Sequence, residues 1–145
     1  MITQPNRWLL DTNVWVFGLR RDISFQACAE LLDRIGKFSV LIPLQVLKEL
    51  NLVLTESETQ DLYRLVNQYS DFIELSWEPV MVDHVRSYER RGCKKGDAVI
   101  AAHAEGFGIT TIVSENRQFL QALNDLPVEV ITPAEAGRRL APISS

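Results

Sequence analysis

The chain has 145 residues, 46% of them hydrophobic and 23% charged, enough for one compact domain with a sizeable core and cramped for two. The 15 Lys and Arg stand against 19 Asp and Glu, a net charge of −4. That balance excludes a broadly basic surface built to coat nucleic acid, and the apolar content excludes a disordered acidic tail. No apolar run is long enough to span a bilayer, the longest (about residues 38 to 54) being cut by Lys48 and Glu49. The segment Met1–Arg7 carries neither the basic region nor the cleavage site of a secretory leader. Cys28 and Cys93 match no disulfide or zinc spacing. The expectation is a soluble cytoplasmic protein without a membrane partner, one α/β domain over residues 1–145.

Charge is unevenly spread. Between Pro43 and Glu78 seven acids face two bases, whereas Arg90, Arg91, Lys94 and Lys95 fall within six residues. That window is where a phosphate backbone would find a positive strip, although a solvated helix end and loop would look the same.

In chain order, Trp8-Leu9-Leu10 reads as a short buried strand ending at Asp11. Asp11-Thr12-Asn13 supplies helix-start chemistry, and Gly18 a stop. Apolar residues at helical spacing mark a helix from Ser24 to Ile35, closed by Gly36. Val40-Leu41-Ile42 is a second strand, terminated by Pro43; Leu44 to Leu54 and Ser57 to Tyr69 are helices, and Phe72 to Leu75 a third strand. Pro79 opens a helix to about Arg91, broken by Gly92, and Asp97 caps another that ends at Gly106-Phe107-Gly108. Thr111-Ile112-Val113 is a strand followed by a short helix to about Leu123; Val128 to Ile131 and a helix from Pro133 to about Leu140 complete the chain. Short apolar strands alternating with helices call for a three-layer α/β domain, with a central parallel sheet of four to five strands flanked by helices.

In such a sheet the carboxyl ends of the strands form the crevice for chemistry. Asp11 ends the first strand, and Ser114, Glu115 and Asn116 end the fourth. Glu49, three residues after Val46 and four before Val53, borders an apolar helix face and can reach into a cleft. Singly, each has a plain explanation: Asp11 and Asp97 are good N-caps, Glu49 a solvated helix residue, Glu115 and Asn116 an ordinary helix start. Their combination is what points to a site. His84 and His103 lack partners at metal-ligand spacing, Trp8 and Trp15 read as core, and Trp77 offers an indole on which a base can stack.

Leu10-Asp11-Thr12-Asn13, Val46-Leu47-Lys48-Glu49-Leu50, Gly96-Asp97-Ala98-Val99-Ile100-Ala101-Ala102 and Ile112-Val113-Ser114-Glu115-Asn116-Arg117-Gln118-Phe119 follow one another at spacings that span nearly the whole chain. This series resembles the PIN-domain (PilT N-terminal) nuclease family, and the small size resembles the toxin half of a VapBC toxin–antitoxin pair. The resemblance implies that Asp11, Glu49 and Asp97 are core acids that bind metal, and that Asn116 stands at a fourth position where many members carry Asp. Thr12 and Ser114 would orient acids or waters. Glu115 should face elsewhere, since neighbours at a helix start diverge by about 100°.

Three carboxylates in one pocket repel, and Mg²⁺ or Mn²⁺ answers that because hard cations prefer carboxylate and water oxygens. The expected activity is a metal-dependent endoribonuclease that hydrolyses RNA phosphodiesters by water attack, with Arg90, Arg91, Lys94, Lys95 and Arg117 as candidate phosphate contacts. A homodimer and a cognate antitoxin are the partners the resemblance implies. Two other readings stay open: a non-catalytic PIN-like module that binds RNA or protein, and a phosphohydrolase of the haloacid-dehalogenase type. The second rests on Asp11-Thr12-Asn13-Val14, where Asn13 replaces that family's general acid.

Overall fold

The computed structural model of the protein describes residues 6–123 and 127–140, so the reading of Met1–Pro5 lies outside it. In strand β1 (Arg7–Leu10) the three consecutive residues Trp8, Leu9 and Leu10 are all buried. Successive side chains of a strand point to opposite faces, so this run requires cover on both sides of the sheet. β2 (Ser39–Ile42) and β4 (Thr111–Val113) follow the same rule, while β3 (Ile73–Leu75) and β5 (Glu129–Ile131) form the edges. All neighbours pair in parallel in the order β3-β2-β1-β4-β5, with Trp8 opposite Val40 and Leu10 opposite Val113. The result is a single α/β domain with a five-stranded parallel sheet.

The chain steps outward from β1 to β2 to β3 and then returns to the far side of β1 to lay down β4 and β5. The order therefore reverses between β1 and β4, and a crevice opens at the carboxyl ends of those strands. α1 (Thr12–Leu19), a 3-10 turn at Ile23–Phe25 and α2 (Gln26–Leu32) join β1 to β2. α3 (Leu44–Val53) and α4 (Glu56–Gln68) lead to β3, with Thr55 and Glu58 closing a reciprocal capping box at the start of α4. α5 (Val82–Arg90) and α6 (Lys95–Gly106) carry the long return. α7 (Arg117–Ala122) precedes β5, and α8 (Pro133–Leu140) packs against α2. Both α1 and α6 touch α3, which gathers three helices around the crevice.

Several boundaries differ from the sequence reading. α5 begins at Val82 rather than at Pro79, with Met81 as a cap that lacks a side-chain hydrogen bond. α6 begins at Lys95, so Asp97 is its third residue and its side chain is not the cap. α2 stops at Leu32, and the turns up to Gly36, whose φ of +112° suits glycine, follow it. Gly18 lies inside α1 and does not end it; the left-handed residue after the helix is Arg21, with φ +49°.

The reason for glycine at position 18 is space. A Cβ built there would stand 2.5 Å from Leu32 Cδ1 and 3.1 Å from the Cys28 carbonyl oxygen, so α1 and α2 are in backbone contact at this point. Leu32 is itself 5% exposed and cannot swing into solvent. Gly18→Val is therefore expected to lower unfolding free energy by about 1–3 kcal/mol, as overpacking does, measured by urea denaturation; an unchanged midpoint would contradict this tight contact.

Candidate active site

The crevice is built around Asp11. Its backbone N–H donates to the Val113 carbonyl at 2.8 Å, one residue beyond β1, so the sheet itself fixes the start of the side chain. Asp11 N-caps α1, and its Oδ1 accepts the Thr12 backbone N–H at 2.8 Å. Its Oδ2 accepts the Ser114 hydroxyl at 2.7 Å and the Asn13 amide at 3.3 Å. The residue is only 5% exposed. Burial pushes its pKa up, and the hydrogen bonds from Ser114, Thr12 and Asn13 restrain that rise without cancelling it.

Glu49, half-buried in the middle of α3, accepts the Thr12 hydroxyl on Oε2 at 2.9 Å. Its Oε1 lies 4.0 Å from where a Cβ on Gly96 would be, which sets it against the first turn of α6. Burial raises its pKa, the Thr12 hydrogen bond opposes the rise, and the charges of Asp11 and Asp97 add to it. Asp97 accepts the Asn116 amide on Oδ2 at 3.3 Å. Its carboxyl is pushed up to about 6 by burial and by the charge of Asp11, against the pull of Lys94. Asn116 in turn N-caps α7: its Oδ1 accepts the Gln118 N–H at 3.0 Å, and its own N–H donates to Ser114 Oγ at 3.0 Å. The Asn116 carbonyl oxygen is thus directed at the helix.

Asp11, Glu49, Asp97 and Asn116 line one open cleft of about 340 Å³, edged by the apolar side chains of Val16, Phe17 and Val53. Thr12 and Ser114 sit where they hold acids, Thr12 on Glu49 and Ser114 on Asp11. Beyond its place in the helix-start sequence, Asn13 donates to both Asp11 and Ser114 while its Oδ1 accepts the Glu115 N–H at 3.2 Å. No local signal marks that role, because Ser114 is brought to it only by the pairing of β1 with β4. Glu115 does turn away: its carboxylate accepts a hydrogen bond from the buried Cys28 thiol at 3.6 Å.

The basic residues spread around the cleft without lining it. Lys94 N-caps α6 and is close enough for its charge to act on Asp97. Arg91 ends α5 with its guanidinium 5.6 Å over the Tyr88 ring. Arg90, Lys95 and Arg117 are exposed at the ends of α5, α6 and α7. His103 is buried and held neutral, its pKa pushed down to about 4 by burial and by the charge of Lys48, and His84 approaches Glu105 at 3.4 Å. Trp77 is 68% exposed and lines a different groove, between α3 and α4, away from the acids.

The donor set fits a hard divalent cation: three partly or fully buried carboxylates, all with raised pKa values, whose described hydrogen-bond donors are neutral. Among the described residues no three His, Cys, Asp or Glu side chains close into a ready metal cage. An ion that keeps much of its water and takes only one or two carboxylates at a time, as Mg²⁺ does, asks for no such cage.

Comparison with known proteins bears on the fold and the family. The family model described as PIN domain matches residues 8–123. Among solved structures, PAE2754 from Pyrobaculum aerophilum superposes with a TM-score of 0.55 at 18% identity, covering 94% of this chain and 98% of that one. VapBC2 from Rickettsia felis, solved bound to a DNA fragment from its promoter, gives a TM-score of 0.55 at 18% identity over 87% of this chain and 98% of that one. At such identity the likeness is one of fold. No curated protein matches the chain.

The raised Asp97 carboxyl has a consequence for stability. Its ordinary value is 3.8 and its folded value about 6, so between those limits the folded state binds the proton more tightly than the unfolded state. Stability of the metal-free protein is therefore lost as pH rises through that window, and the full penalty is present above about 6. In EDTA, Asp97→Asn is expected to melt about 2–4 °C above the parent at neutral pH. The gap should close near pH 4; a variant that melts lower at neutral pH would contradict this.

Proposed function

We propose that this chain, which belongs to the PIN domain family, is a Mg²⁺- or Mn²⁺-dependent endoribonuclease and the toxin of a toxin–antitoxin pair. PIN domains are generally nucleases, and that coarse activity follows from membership. The observation that carries the finer reading is the meeting of Asp11, Glu49 and Asp97 on one cleft, each oriented by a neutral donor of its own. These three would hold the cation. When bound, it would neutralise the acids, offset phosphate charge and acidify a water.

The chain's own residues supply position. Ser114 and Asn13 fix Asp11, Thr12 turns Glu49 inward, and Asn116 directs Asp97. In the reaction we assign, a water oxygen bonds to phosphorus as the bond to the leaving ribose oxygen breaks. One water proton ends on that oxygen and the other leaves to solvent. Both oxygens of Asp11 are already engaged by Thr12, Ser114 and Asn13, which counts against a phosphoryl-aspartate and so against the haloacid-dehalogenase type. A non-catalytic PIN-like scaffold is favoured by one observation, the Asn116 oxygen directed at α7.

Partners follow the same reading. Leu52, Tyr63, Trp77 and Met81 are large apolar side chains 84%, 61%, 68% and 66% exposed on and near α3 and α4. Apolar exposure of this kind marks an interface, and we assign it to a second copy in a cytoplasmic homodimer. The antitoxin would present a basic side chain to the acids.

Asp11→Asn and Asp97→Asn are each expected to reduce RNA cleavage below detection and to abolish growth arrest, and Thr12→Ala to slow cleavage about 10–100-fold. EDTA should stop cleavage, and added Mg²⁺ or Mn²⁺ should restore it. Cleavage or toxicity that survives both Asp variants, or calorimetry without Mg²⁺ or Mn²⁺ binding, would favour the inert scaffold. Separately, Leu52→Glu should shift the elution volume from dimer to monomer while the fold persists; a monomeric parent would remove the dimer assignment.

A further inference from the structure

Beside the acid cleft lies a second groove of about 320 Å³, between the turn that joins α5 to α6 and one side of α7. Arg91, Gly92 and Lys94 form one wall, and Gln118, Gln121 and Ala122 the other. Two covalent links tie it to the cleft. Lys94 precedes Asp97 by three residues and acts on its carboxyl. Gln118 follows Asn116 by two residues and donates its backbone N–H to the amide that holds Asp97. One wall therefore leads along the chain to Asp97 and the other to Asn116, which sets the groove close to the acids.

The two walls differ in chemistry. Arg91 and Lys94 bring positive charge, complementary to phosphate oxygens. Gly92, with φ +102° and nothing within 4 Å of an added Cβ, leaves the middle of that wall low and open. Gln118 and Gln121 stand one turn apart on α7, exposed, and bring uncharged amides that both donate and accept. Paired donor–acceptor groups complement the edges of bases, and base edges are reachable in RNA only where the bases are unpaired and splayed. A cationic wall facing an amide wall separates backbone from base.

We propose that this groove binds single-stranded RNA on one side of the cleaved bond, with Gln118 and Gln121 as residues that determine which base is accepted there. Lys94 holds the phosphate. This rests on the nuclease reading given above.

The test uses the full chain carrying Asp97→Asn, so that RNA is not consumed, and fluorescence anisotropy with labelled hexaribonucleotides of random sequence, the four homopolymers and a duplex RNA. On that background Lys94→Ala should weaken binding to every single strand alike and flatten its salt dependence. Gln118→Ala with Gln121→Ala should change the ranking of the homopolymers by about 10-fold and leave the salt dependence unchanged. Both glutamines are exposed, and circular dichroism checks that the variants keep the fold. Unchanged affinity and ranking in the glutamine variant, equal binding of duplex, or no binding of RNA at all overturns the groove. So does a result in which only a cationic peptide, and no RNA, responds to these changes. Reordered binding by a protein that, with Asp97 intact, cuts nothing would sink the nuclease reading alone. Intact cleavage with unchanged end preferences in the glutamine variant would sink the groove alone.

Discussion

Much of this structure depends on placing one carboxylate, that of Asp11, where it is almost out of water. The reversal of strand order between β1 and β4 creates the position, and the backbone pairing of Asp11 with Val113 locks it. A carboxylate buried there is tolerable only with donors on both oxygens, and the fold provides them from Thr12, Asn13 and Ser114. Those donors come from the first turn of α1 and the end of β4, so the same hydrogen bonds that satisfy the acid also close the sheet's central seam.

The other two acids are placed by helices, more loosely, and remain half-buried. Their ionisation is made harder by neighbouring charge as well as by burial: Asp11 and Asp97 raise Glu49, and Asp11 raises Asp97. Hydrogen bonds from Thr12 and Asn116 fix direction more than they relieve charge. The site is thus organised in geometry while uncompensated in electrostatics, an arrangement that suits a ligand with two positive charges and oxygen affinity. The net charge of −4 takes on a specific meaning in this light. Part of it belongs to the three acids, which lie together although Glu49 is 38 residues from Asp11 and Asp97 lies 48 further on.

How much of this the chain discloses before folding varies by level. Strands β1, β2 and β4 are legible because continuous apolar runs stop at Asp11, Pro43 and Ser114. Helix starts are less so. Pro79 and Asp97 carry strong start signals, but the chain stays non-helical through Met81, and α6 begins at Lys95 with no side-chain cap, since packing of α5 on α6 outweighs local preference. Gly18 looked like a stop because the contact that requires it, with α2, is invisible locally. The acids are legible through their motifs. Asn13 as a bridge, the Asn116 oxygen capping α7 and the pairing of Lys94 with Gln118 across a groove are not, because each depends on two segments that meet only in the folded sheet.

The contact between Glu115 and Cys28 places a thiol directly behind this wall. Cys28 is fully buried and its pKa is pushed up to about 12, so in the closed structure it is neither reachable nor nucleophilic. A thiol reagent can reach it only when α2 parts from the elements that cover it, α1 and α8 among them. The backbone of the same Glu115 donates to Asn13, which in turn donates to Asp11. The labelling rate of Cys28, told apart from that of the second buried cysteine, Cys93, therefore measures how often the cover over α2 opens.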